Sequence, residues 1–146
     1  MIPQFDEFGL LPDGIHFSSW KEFNKRFGVN QHRTRLISGL VSAAKVLKGA
    51  GCLLIYVDGS FVTSKSYPSD YDACWDVVGV NPYLLDRLMI QFDELSRQLL
   101  RVKYFGDLFP AQISETRSGK SFVDFFQTDK ETGRSKGIVA LKPQKL

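Results

Sequence analysis

Little in this sequence points to a special environment. It has two cysteines, Cys52 and Cys74, in 146 residues, which excludes a fold built on disulfides. They read as buried free thiols of a reducing compartment, so the expected location is cytoplasmic. Its two histidines, His16 and His32, stand at no short paired spacing with each other or with the cysteines, which argues against a zinc site. No apolar run approaches the roughly 20 residues of a membrane-crossing helix, so no membrane partner is expected. The opening MIPQFDEFGLLPDG has no basic stretch leading into an apolar core, and no secretory leader is expected. The net charge of +3 is too small to argue for nucleic acid. The interleaved aromatic and basic residues of a single-strand binder are also missing.

What is present suits one globular domain spanning residues 1–146. Hydrophobic residues make up 43% and charged residues 24% of the chain, enough apolar surface for a real core. Residues 1–18 read as an irregular arm anchored by Phe5, Phe8, Leu10 and Leu11. Ser19 and Glu22 have capping-box spacing and open a short helix from Trp20 to Phe27, with Trp20, Phe23 and Phe27 as a core stripe. A longer amphipathic helix runs from about Gln31 to Lys48, its apolar side including Leu36, Leu40 and Leu47, with Arg33 and Arg35 mostly off that side.

Strands are expected at Cys52–Val57, Asp70–Val78, Leu108–Ser114 and Ser121–Thr128. Between the second and third of these, Asn81 and Pro82 open a helix whose Leu85, Leu88, Phe92, Leu95, Leu99 and Val102 form a buried stripe. Ile138–Leu141 reads as an added edge strand inside a basic C-terminal tail, residues 130–146, holding Lys130, Arg134, Lys136, Lys142 and Lys145. The fold class is α/β in the α+β sense, a mixed sheet flanked by helices.

The chemistry concentrates between Asp58 and Asp72. An apolar strand runs into Gly59 and Ser60, and Asp70 and Asp72 then open the next strand. Gly59, without a Cβ, permits a sharp turn and close ligand approach. Ser60 and the amides after it suit a phosphate, and Lys65 is a nearby cationic partner. Asp58 reads as a turn residue. Side chains alternate along a strand, so Asp70 and Asp72 share a face. Paired carboxylates beside a phosphate turn are what a Mg²⁺- or Mn²⁺-bound nucleotide requires. In SFVDFFQT, Asp124 lies between Phe122 and Phe126 on one face of the expected strand, where a metal would satisfy an otherwise costly carboxylate.

An apolar strand, Gly-Ser and then Asp-x-Asp resembles the nucleotidyltransferase superfamily of the polymerase-β type. GLLPDGIHFSSWKEFNKRFG, VDGSFVTSK and DFFQTD further resemble a small group of uncharacterised bacterial nucleotidyltransferase-like proteins. The resemblance implies a nucleotidyltransferase-like fold with Asp70, Asp72 and Asp124 as catalytic metal ligands. It also implies Gly59, Ser60 and Lys65 as nucleotide contacts. The expected reaction moves a nucleoside monophosphate from a nucleoside triphosphate to a hydroxyl on RNA, protein or a small molecule. The expected setting is a toxin–antitoxin or defence system with a partner protein. FVTSKSYPS, between the two motifs, carries neither the Arg nor the Gly that small antitoxin-type members place there. The alternatives are an inactive nucleotidyltransferase-fold module that grips a nucleotide or partner, and an RNA-binding protein using the basic tail.

Overall fold

The computed structural model describes residues 1–115, 117–129 and 132–146. Five strands form one mixed sheet: β1 (Ile15–Phe17), β2 (Ile55–Asp58), β3 (Tyr71–Trp75), β4 (Gly106–Pro110) and β5 (Ile138–Leu141). Their spatial order is β1-β5-β2-β3-β4. β2 runs antiparallel to β5 and β3, while β1–β5 and β3–β4 are parallel. The α+β class expected from the sequence is present.

The first helices form where their caps put them. Ser19 accepts from the Glu22 amide and starts α1 (Trp20–Phe27), which buries Phe23 and Phe27. The Glu22 carboxylate turns to the amide of Ile2 and so fastens the N-terminal arm rather than closing the reciprocal box. Asn30 caps α2 (Gln31–Gly49), whose Leu36, Leu40, Ala43, Ala44 and Leu47 are buried. Together with Val57, Ala73 and Leu108 from the sheet, these side chains build the main core. Cys52 and Cys74 are buried free thiols, and burial pushes Cys52 up to about 11.

Ile15–Phe17, in the arm read as irregular, forms β1 beside β5, and three further sequence expectations give way. The segment read as a basic tail with an edge strand contains an interior one, because β5 lies between β1 and β2 with Ile138 to Leu141 all buried. A strand covered on both faces reads as a continuous apolar run rather than an alternating one. Lys130 and Glu131 of that segment lie outside the described residues.

The helix expected from Pro82 onward is broken into short 3₁₀ turns at Pro82–Leu84 and Arg87–Met89, followed by α3 (Glu94–Tyr104). Asn81, Asp86 and Asp93 each accept a nearby backbone amide, so three side chains restart the chain where one helix could have continued. α3 buries Ser96, Leu100 and Tyr104. Of the stripe expected to be core, Leu85 is buried and Leu88 packs against the core, and the members from Phe92 onward face out. Phe92 is 47% exposed, Leu95 64%, Leu99 47% and Val102 75%. Leu99→Gln should therefore shift stability by less than about 0.5 kcal/mol, and Leu100→Ala should cost about 2–5 kcal/mol. Thermal melts of the two variants check this, and equal losses would restore the original stripe.

The third correction concerns SFVDFFQT. It is not a strand: Phe122–Phe125 forms a single helical turn, α4, capped by Ser121. Phe122 and Phe126, one turn apart, both pack on Phe109 of β4, the Phe122 ring stacking at 4.3 Å. With Cys74 and Ala111 they make a second, smaller cluster, to which Tyr56 adds. The main core lies against Val57, Ala73 and Leu108, and the segment after β4 covers Tyr56, Cys74 and Phe109, which have the opposite parity.

Candidate functional site

Strand register assembles the acidic end of this second face. Asp58, the last residue of β2, pairs with Asp72 of β3, and Asp72 pairs with Asp107 of β4. Cross-strand partners share a face, so three aspartates stand in a row at one end of the sheet. Asp58 is 1% and Asp107 6% exposed, with Asp72 partly buried. The reading of Asp58 as a turn residue is thereby corrected. It ends a strand, and the turn begins at Gly59.

Gly59 holds the geometry together. Its φ is +75°, and a Cβ there would lie 2.3 Å from Asp72 Oδ2. Any other residue would be strained and would collide with the carboxylate. Gly59–Val62 is a 3₁₀ turn in which Ser60 O accepts both the amide and the hydroxyl of Thr63. Phe61 and Val62 bury their side chains, so the turn is anchored from beneath.

A cavity of about 440 Å³ opens at this end of the sheet. Its floor includes Asp58, Gly59, Ser60 and Asp72, and Lys65 and Lys136 bring positive charge to its walls. Phe8 to Leu10 of the arm form one wall, and Phe125, Phe126, Thr128 and Asp129 form another. Four of the expected site residues, Gly59, Ser60, Lys65 and Asp72, thus line one cavity.

Asp70 and Asp124 are placed elsewhere. Asp70 precedes β3 and lines a shallower hollow of about 410 Å³ with Arg35, Ser69, Arg101, Val102 and Phe105. Asp124 is exposed on α4, where its carboxylate accepts from the Ser121 hydroxyl at 3.0 Å. It is not among the residues lining the cavity. The helical turn is the reason, since it points Phe122 and Phe126 inward and leaves Asp124 outside.

Sequence reading missed several residues at the site. Asp107 is held by Arg101, whose Nε and Nη2 donate to its two oxygens at 2.8 and 3.0 Å. These bonds raise the Arg101 guanidinium above its ordinary value against partial burial, and the charges of Asp107, Asp70 and Asp72 add to the effect. The available signal was an aspartate, Asp107, at the head of the apolar pair Leu108 and Phe109. Lys136 is 8% exposed and lines the cavity, although its neighbours suggested a solvated tail.

Arg33 is the least expected. It is 2% exposed and donates to the carbonyls of Phe27, Phe61, Thr63 and Lys65 at 3.3, 2.7, 3.1 and 3.1 Å. Its neighbours extend the clamp: Asn30 donates to Ser66 O, and the His32 ring is bonded to Pro68 O. The start of α2 and its cap Asn30 therefore hold the chain at points from Phe61 to Pro68. Burial lowers the Arg33 guanidinium below its ordinary value.

The sequence model of one protein family matches residues 3–142. The chain belongs to DUF6932, a family of unknown function. No curated protein and no solved structure matches it. In this DUF6932 chain the arm from residue 3 onward, the cavity and the acidic row fall within the matched residues. No helix among the described residues is long and apolar enough to cross a membrane.

The donors at the acidic end suit a hard cation, since carboxylate oxygens are the ligands Mg²⁺ and Mn²⁺ prefer. Among the described residues, no group of three or more His, Cys, Asp or Glu side chains is arranged to hold a metal ion alone. Asp58 and Asp72 fit the other common arrangement, in which one or two carboxylates hold Mg²⁺ and substrate phosphates with water complete the shell.

Proposed function

We propose that this protein is a nucleotidyltransferase of the polymerase-β type. In this reading the cavity takes a nucleoside triphosphate with Mg²⁺ or Mn²⁺. The observation that carries it is the joint lining of one cavity by the Gly59-Ser60 turn, the facing pair Asp58 and Asp72, and Lys65 with Lys136. Ser60 and the two lysines would bind phosphate oxygens, and Asp58 and Asp72 would hold the ion. When bound, the ion would bring positive charge to the phosphate oxygens, where negative charge builds during transfer. An acceptor hydroxyl would attack the α-phosphorus and lose its proton as the bond to pyrophosphate breaks. The carboxylate row takes over the role first assigned to Asp70, Asp72 and Asp124, with Asp58 and Asp107 flanking Asp72.

A second reading, a nucleotide- or partner-binding module without turnover, is favoured by one contact. Asp107 is gripped at both oxygens by Arg101, which neutralises the third carboxylate of the row. One experiment separates the two. The protein is incubated with each α-³²P-labelled nucleoside triphosphate, Mn²⁺ and a cell extract. Transfer of label to RNA, protein or a small molecule, lost in Asp72→Asn, is the expected outcome. Tight nucleotide binding with no labelled product would favour the module.

A further inference from the structure

The arm carries a feature that the phosphate site does not use. Phe8 is 49% exposed at the rim of the cavity, although the sequence suggested an apolar anchor. An exposed phenylalanine ordinarily needs no explanation, but this one is held with care. The Asp6 carboxylate accepts from the amides of Phe8 and Leu10 at 2.8 and 3.0 Å, and Asp6 O accepts from Gly9. Gly9 then locks onto the loop that follows the Gly59 turn. The Ser64 amide donates to Gly9 O at 2.9 Å, and a Cβ on Gly9 would lie 2.1 Å from Ser64 Oγ. The arm and that loop are thus registered against each other at the cavity edge. The Arg134 guanidinium lies 3.9 Å from the centre of the Phe8 ring.

We infer that Phe8, supported by Arg134, is the stacking platform for the base of a nucleotide whose phosphates lie at Gly59 and Ser60. This rests on the nucleotide reading above. An aromatic ring and a guanidinium plane are the side-chain groups on which bases stack. Anchoring Phe8 before the ligand arrives lowers the ordering cost of binding. Stacking tolerates any base, so the platform selects nucleotides over inorganic polyphosphate without choosing among the bases.

The test compares ATP with inorganic tripolyphosphate, each with Mn²⁺, by calorimetry on the wild type, Phe8→Ala and Phe8→Tyr. Phe8→Ala should weaken ATP about tenfold or more, leave tripolyphosphate within about twofold, and leave the melting temperature unchanged. Phe8→Tyr should restore ATP affinity. UTP should show the same pattern with a smaller factor. If Phe8→Ala binds ATP as the wild type does, or weakens both ligands equally, the platform is refuted while the phosphate site stands. If the wild type binds neither ligand, the nucleotide reading fails and the platform with it.

Discussion

Arg33→Met should lower stability by about 3 kcal/mol and loosen the loop from Gly59 to Ser69. The wild-type guanidinium is buried and donates to the carbonyls of Phe27, Phe61, Thr63 and Lys65. It also sits 4.7 Å from the centre of the Phe61 ring. Methionine fills much of the volume and supplies no donor. Each buried carbonyl left without a partner costs about 1–3 kcal/mol. Recovering the desolvation cost of a buried cation offsets part of that sum, which is why about 3 kcal/mol, rather than the full total, is expected.

For a chain of this length that loss is roughly 10 °C of melting temperature. Arg33→Lys should fall nearly as far, because one ammonium cannot reproduce a planar fork spread over four carbonyls. Hydrogen exchange should then rise in 59–69 before it rises in α2. A lysine variant that melts with the wild type would show that charge alone suffices and would remove the clamp from the account.

How much of this could be read in the sequence depended on whether the deciding contact was local. Ser19 caps α1 within three residues, and α1 appears where that cap predicts; α2 appears where its apolar periodicity placed it. β2 announced itself by an apolar run, although Cys52–Leu54 lies outside the ladder, and β3 by the strand-like run that begins with Asp70 and Asp72. Where pattern and cap disagreed, the cap won. Ser121 with Asp124 has the spacing of a helix start, yet SFVDFFQT also alternates like a strand. Two phenylalanines one turn apart on Phe109 decided for the helix. Likewise the 3-4 spacing from Leu85 to Val102 is real, but the caps Asp86 and Asp93 interrupt it.

The partners of the site were hidden for a different reason. Asp58 and Asp72 bound one stretch of sequence, but their pairing with each other and with Asp107 exists only through strand order and register. Arg33 gave no signal at all, because its partners are backbone carbonyls that every sequence possesses.

Asp58→Asn with Asp72→Asn should weaken Mn²⁺–nucleotide binding by on the order of 100-fold or more, and Asp124→Asn should leave it within about twofold. Asp58 and Asp72 are paired across β2 and β3 and both line the cavity. Losing a charged contact typically costs about 1.5–3 kcal/mol, so two of them give about 100-fold or more. Asparagine keeps the size and much of the hydrogen bonding of each aspartate, so the sheet should stay folded and circular dichroism should match the wild type. Asp70→Asn should fall between the extremes. Asp70 lines the neighbouring hollow, and its charge reaches the site through Arg101. The four proteins are compared by titrating Mn²⁺ with a non-hydrolysable ATP analogue. A ranking led by Asp124 would return the ion to α4 and contradict the helical turn that exposes it. Equal affinities in all four would leave the carboxylate row as a structural feature of the sheet end, with phosphate binding resting on Ser60, Lys65 and Lys136 alone.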